Sequence, residues 1–260
     1  MRALLPALLI AAPAMAQEAP RPIAASKIVL VGDSTTAVIG GWGPSFCAYH
    51  VTSFAACVNL ARGGRSSGSY RTEGSWDLAL AEMRAQGYKK IWVLIQFGHN
   101  DQPGKPGRST DLATEFPANL ARYVDETRSA GATPVLLTPL TRRSFKDGKL
   151  QNDLEPWAAA IRKVAAEKQV PLLDLNADSA AAVQAMGEAA ADRFAQLPPG
   201  SAPIGPAPAS ATEVEVKPMA TPKLSFDRTH LGVEGANYFA AMVTRELAEA
   251  IPEMRPLLVR

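Results

Sequence analysis

Apolar residues along the chain gather in short continuous runs, and the stretches between them have helical spacing. Residues 27–31 (KIVLV) form a β-rich run that ends at Gly32, a helical or turn-like stretch covers 41–50, and 57–61 (CVNLA) reads as a second strand. Over 75–86, Trp76, Leu78, Ala79, Leu80 and Met83 recur at helical spacing, with Ser75 as N-cap and Gly87 just beyond the end. Residues 90–97 (KIWVLIQF) are the strongest strand, nearly unbroken in apolar character, as a parallel strand covered on both faces requires. A helix over 115–130 stopped by Gly131, a strand over 134–138, a helix over 153–169 and a strand over 170–175 follow. An alanine-rich helix over 177–195 and a last helix over 233–250 complete the pattern. Five strands alternating with helices predict an α/β fold, a three-layer α/β/α sandwich around a five-stranded parallel sheet. Right-handed crossovers then place a ligand crevice at the C-terminal ends of the strands.

Two segments stand outside this alternation. Residues 197–223 hold seven of the 21 prolines among small polar residues and read as a long loop or insertion, because only one helix follows them. Residues 1–16 (MRALLPALLIAAPAMA) combine an early arginine, a short apolar run and a small-x-small end, the pattern of a secretory signal peptide cleaved after Ala16. The run is too short to span a bilayer, so a soluble, secreted or periplasmic domain over 17–260 is expected. Export bears on Cys47 and Cys57, which bracket nine residues (AYHVTSFAA). An oxidising compartment permits a disulfide there, worth about 2–3 kcal/mol in the chain-entropy model. Two small buried thiols are the other possibility.

Composition narrows the chemistry. The 260 residues are 47% hydrophobic and 20% charged with a formal charge of +2, which excludes a disordered or polytopic chain and gives no sign of a nucleic-acid partner. Two cysteines and three histidines exclude a zinc ribbon, and any histidine base is His50, His99 or His230.

Four clusters follow strands or precede the last helix. Gly32-Asp33-Ser34-Thr35-Thr36 places a serine at a strand-to-helix turn, where it serves as a nucleophile or merely as a cap. Asn59 to Gly68 (NLARGGRSSG) has paired glycines that let a backbone N–H approach a substrate, or a flexible loop without function. No Walker lysine or Gly-x-Gly-x-x-Gly follows, which argues against nucleotide binding. Gly98-His99-Asn100-Asp101 ends the strongest strand, and the Asn100 amide can donate to an oxyanion or build a turn. Asp227-Arg-Thr-His230 lets a carboxylate orient an imidazole, whereas His50 has no acid placed near it.

Each cluster alone is weak evidence, but their order resembles the SGNH (GDSL-like) hydrolase superfamily. The longer wording (GDSTTA, GWGPSF, NLARGGRSSGSYRTEG, IQFGHNDQ, DRTHLGVEGA) resembles its rhamnogalacturonan acetylesterase branch over about 29–243, the proline-rich segment excepted. The resemblance implies a flavodoxin-like SGNH fold and a serine esterase that removes O-acetyl groups from a plant cell-wall polysaccharide. In that reading Ser34 is the nucleophile, His230 the general base and acid, and Asp227 its orienter. The Ser34 and Gly64 N–H groups and the Asn100 side chain form the oxyanion hole, with no metal or cofactor. His99 takes a structural or substrate-side role. Uronate carboxylates invite arginines; Arg65, Arg71, Arg142 and Arg228 lie on suitable loops, and Arg65 is the expected substrate contact. The alternatives are an SGNH esterase of another specificity (another acetylated saccharide, a lysophospholipid or a thioester) and a non-catalytic saccharide-binding relative. The polar loops GGRSSGS and QPGKPGRS favour a small acyl group on a hydrophilic alcohol.

Overall fold

The computed structural model describes residues 24–202, 204 and 224–259. The expected signal peptide and nearly all of the proline-rich segment from 203 onwards lie outside the described residues. β1 (Ser26–Gly32) leads to a short α1 (Gly43–Ser45) that continues as one π-helical turn, Phe46–His50, and then to β2 (Ala55–Asn59). Next come α2 (Ser69–Thr72), α3 (Ser75–Met83), β3 (Ile91–Gln96), α4 (Glu115–Ser129) and β4 (Thr133–Leu137). β5 (Phe145–Lys146) and β6 (Lys149–Leu150) form a small hairpin, followed by α5 (Glu155–Lys168) and β7 (Leu172–Leu173). α6 (Leu175–Met186), α7 (Glu188–Asp192), α8 (Val233–Ala250) and a 3-10 segment, Pro252–Leu257, end the chain.

The five long-range strands form one parallel sheet in the order β2-β1-β3-β4-β7. Successive residues of β1 serve opposite faces. Ile28 and Leu30 pack with Trp42, Phe46 and α8, whereas Val29 and Val31 pack with side chains of α2 to α5. Both faces are therefore covered, which is why β3 shows no polar alternation. Each such side chain is wholly buried, and truncating one to alanine costs about 2–5 kcal/mol. The chain leaves β1 for β2 on one side and returns to β3 on the other. That reversal makes the loops after β1, β2 and β3 the walls of the crevice.

Several local expectations are corrected. β2 starts two residues earlier than its apolar run suggested, because Ala55 and Ala56 pair with Ser26 and Lys27. Ser75 is the first helical residue of α3 rather than its cap. Gly74, at φ 82°, holds the cap position, and the Ser75 hydroxyl donates to Glu73 Oε1 at 2.5 Å. The alanine-rich helix is two helices, since Gly187 adopts φ 78° and ψ 167° and breaks the turn. The strand expected over 170–175 shrinks to two residues, as Leu175 already begins α6. Cys47 and Cys57 are joined by a disulfide that ties the π-helical turn to β2, with Cα atoms 5.5 Å apart.

Candidate active site

The turn after β1 is fixed from beneath. A Cβ on Gly32 would lie 2.7 Å from the Gln96 carbonyl oxygen, so only glycine lets the end of β1 lie this close to β3. Asp33 is wholly buried, and its Oδ1 accepts from the Thr35 N–H and hydroxyl, both at 2.8 Å. The Thr36 hydroxyl and the Trp42 indole donate to Gln96 Oε1 at 2.5 and 2.9 Å. This framework leaves Ser34 with its side chain at the crevice, 8% exposed.

Across the crevice, His230 precedes α8. Its Nε2 lies 2.9 Å from Ser34 Oγ, and its Nδ1 lies 2.8 Å from Asp227 Oδ2. The other Asp227 oxygen accepts from the His230 and Thr229 N–H groups at 2.6 and 2.8 Å. Burial pushes the Asp227 carboxyl up, but the bonds from the His230 ring and backbone outweigh it and bring its pKa down to about 2. An ionised carboxylate only accepts, so Nδ1 carries the ring proton and Nε2 accepts from the serine hydroxyl. A hydroxyl, an imidazole and a carboxylate in this sequence can deprotonate the serine as it attacks. Gly40, at φ 87°, closes the wall: a Cβ there would lie 3.2 Å from His230 Cδ2, and its carbonyl accepts from the Leu231 N–H at 2.9 Å.

Sequence reasoning missed the residue that holds this turn. Arg143, after β4, is wholly buried. Its Nη2 donates to the Asp227 and His230 carbonyls at 3.0 and 2.8 Å, and its Nη1 to the Thr229 carbonyl at 3.3 Å. Burial lowers its pKa to about 10, and it stays charged at neutral pH. No spacing marks a buried arginine, and its neighbour Arg142 looked the same. Arg143→Leu leaves three carbonyls without donors, so a loss of about 2–4 kcal/mol in stability is expected. A fall in kcat of about tenfold or more should accompany it, since a small misplacement of the base is costly. Arg143→Lys should recover part of the kcat. Denaturant unfolding and steady-state kinetics check both; an unchanged kcat in Arg143→Leu means the turn holds itself.

The glycine loop after β2 lies beside the serine. A Cβ on Gly63 would sit 3.7 Å from Ser34 Cβ, and Gly64 adopts φ 79°. Asn100 is 7% exposed and donates one amide hydrogen to the Arg65 carbonyl at 3.0 Å, which leaves the second to serve a ligand. Asp101 braces the same loop, accepting from the Ser67 N–H and hydroxyl at 3.0 and 2.6 Å and from the Thr110 hydroxyl at 2.8 Å. Burial pushes the Asp101 carboxyl up to about 6 in spite of these donors.

His99 was expected in a structural or substrate-side role and Arg65 as a substrate contact, and the structure gives each of them partners within the protein. His99 is almost wholly buried, with Nδ1 3.4 Å from Asp33 Oδ2 and without hydrogen-bond geometry, so it supports the Ser34 turn from behind. Burial raises the Asp33 carboxyl, and His99 and Thr35 together bring it below its ordinary value. Arg65 is engaged by Glu73 Oε2 at 2.7 Å through Nε and by the Gly63 carbonyl at 2.8 Å through Nη1, so part of its guanidinium is already committed within its own loop. Arg71 pairs with Glu126, Arg142 with Asp153, and Arg228 with Asp192 and Glu188. His50 bonds the Val259 carbonyl at 3.0 Å. A cavity of about 570 Å³ lined by His50, Thr244, Arg245 and Arg255 contains none of the Ser34, His230 and Asp227 group.

Residues 30–235 match the GDSL-like lipase/acylhydrolase family. The chain is 32% identical over 232 residues to the rhamnogalacturonan acetylesterase RhgT of Bacillus subtilis, covering 86% of this chain and 90% of that protein. Among solved structures it resembles the YxiM protein of Bacillus subtilis, with a TM-score of 0.66 and 22% identity. That match covers 88% of this chain but 58% of that one, little more than half its length. The acetylxylan esterase Axe2 of Geobacillus stearothermophilus shares the fold at a TM-score of 0.56 and 19% identity, over 87% of this chain and 96% of that one.

Proposed function

The chain belongs to the GDSL-like lipase/acylhydrolase family, and from that premise we propose that it deacetylates a plant cell-wall polysaccharide, acetylated rhamnogalacturonan foremost. It is an ester hydrolase. The observation that carries the mechanism is the relay from Ser34 through His230 to Asp227, at 2.9 and 2.8 Å.

Ser34 Oγ attacks the acetyl carbonyl and gives its proton to His230 Nε2. The tetrahedral oxyanion takes hydrogen bonds from the Ser34 N–H, the Gly64 N–H and the free hydrogen of Asn100 Nδ2. His230 then protonates the departing sugar oxygen, leaving acetyl on Ser34. Water loses a proton to His230, attacks the acetyl-serine and releases acetate, and the proton returns to Ser34. Asp227 keeps its charge throughout, holding the Nδ1 proton and stabilising the imidazolium. The Cys47–Cys57 bond supports the further reading that residues 1–16 direct export, since disulfides persist in oxidising compartments.

The test is acetate release from acetylated pectin, rhamnogalacturonan, xylan and acetyl-xylose, with the highest kcat/KM expected on rhamnogalacturonan. Equal or higher values on xylan overturn that substrate. One observation favours a longer acyl chain: Val38 and Ile39, on the loop that leans against His230, are exposed at 65% and 49%. Activity that rises from acetyl to octanoyl p-nitrophenyl esters would carry that reading instead.

A further inference from the structure

The loop between β3 and α4 carries two cations, Lys105 and Arg108, that form no direct ion pair among the described residues. It is built rather than loose. The Lys105 carbonyl accepts from the Arg108 and Ser109 N–H groups at 3.0 and 2.9 Å, and the Ser109 hydroxyl donates to the Gln102 carbonyl at 2.8 Å. Gly104 and Gly107 make its two bends at φ 81° and 70°, and Thr110 pins its end to Asp101.

The loop brings its charges to the crevice. Arg108 Nη1 lies 3.4 Å from the carbonyl of Gly64, the residue whose N–H faces the oxyanion in the proposed mechanism. Lys105 Nζ donates to the carbonyl of His99, the residue before Asn100, and Arg142 Nη2 reaches the same carbonyl at 3.5 Å. Arg142 has Asp153 as its partner. Among the described residues, neither Lys105 nor Arg108 has a carboxylate within ion-pair distance. Arg65, Arg71, Arg142 and Arg228 each have one.

Holding these cations together is unfavourable. Burial, then Arg142 and Arg108, lower the Lys105 pKa below its ordinary value, against a smaller opposing pull from Asp33 and Asp153. A loop that pins like charges beside a reaction centre with no carboxylate in direct contact is arranged for an anion arriving with the substrate. The Lys105 ammonium keeps two hydrogens beyond the one it gives to His99, and most of the Arg108 fork is uncommitted.

We propose that Lys105 and Arg108 form a subsite for the carboxylate of a uronic-acid residue next to the acetylated sugar. The subsite rests on the polysaccharide deacetylase reading above and gives it a preference for acidic over neutral chains. The subsite lies on the crevice loop that follows the Arg65 loop, where the two cations have no carboxylate in direct contact.

The test compares kcat/KM for acetate release from acetylated rhamnogalacturonan oligosaccharides with that from acetylated xylo-oligosaccharides. In Arg108→Gln and in Lys105→Gln the acidic-to-neutral ratio should fall about tenfold each, the effect of one charge-assisted contact. For the unaltered enzyme the ratio should fall with added salt. Reducing the uronate carboxylates to alcohols should lower the rate by the same factor, and this arm holds even if a variant fails to fold. Ratios unchanged in both variants, with no response to carboxyl reduction, overturn the subsite alone. An enzyme that cleaves p-nitrophenyl acetate but releases no acetate from the acidic oligosaccharide overturns the substrate reading and the subsite together.

Discussion

Ser34→Ala abolishes acetate release, lowering kcat/KM on the order of 10⁵-fold, while the chain keeps its fold. In the proposed mechanism the hydroxyl is the group that becomes acylated, and among the described residues no other hydroxyl is bonded to His230. Its removal deletes one hydrogen bond at the crevice and leaves the β1 turn held by Asp33, Thr35, Thr36 and Gln96. The midpoint of thermal unfolding should therefore move little. Acetate assay and calorimetry on the same preparation check both statements. A variant that folds and retains a few per cent of the activity removes Ser34 from the mechanism.

Asp227→Asn should lower kcat by about 10³–10⁴-fold, the range expected when a triad carboxylate becomes an amide. The local bonds explain the size. Two backbone N–H groups point at Oδ1, so the amide oxygen stays there and the amide nitrogen turns to His230 Nδ1. That nitrogen donates, which forces the ring proton onto Nε2, and Nε2 can no longer accept from Ser34. The same carboxylate links to stability. Its pKa lies near 2 when folded against an ordinary 3.8, so its contribution is present above the ordinary value and fades as pH falls through about 2. The side chain is about a third exposed, and after solvent screening the contribution is about 1 kcal/mol. Urea midpoints should separate wild type from Asp227→Asn at pH 7 and converge in acid. Near-normal kcat in this variant would mean that His230 is oriented by another group.

The fold was legible where burial leaves a pattern. Residues 28–31 of β1 and 91–95 of β3 are unbroken apolar runs because both sheet faces are covered, and α8 runs over 233–250 as its spacing predicted. The break at Gly187 was hidden because alanines on both sides suit a helix equally well. β5 and β6 are two residues each, too short for any periodicity, although Asp147-Gly148 between them (φ 49° and 73°) is a hairpin-turn pair. Ser34, Asp227 and His230 were legible only through the order of their blocks. Nothing local separates a nucleophile from a cap until the turn before α8 is brought across the sheet. The partner of Arg65 was not read from the sequence. Glu73 stands eight residues on at the end of α2, and an acid that close in sequence was the available sign that the arginine is spoken for. Arg143 gave no sign, since its three acceptors are backbone carbonyls more than 80 residues away.

In the proposed mechanism every acetyl group passes through Ser34. The direct measurement is rapid acid quenching of the enzyme during turnover of p-nitrophenyl acetate, followed by mass spectrometry of its peptides. An acetyl group is expected on the peptide carrying Ser34, formed before steady state and absent in Ser34→Ala. Acetyl on a different residue, or full turnover with no acetylated peptide at any quench time, would contradict it.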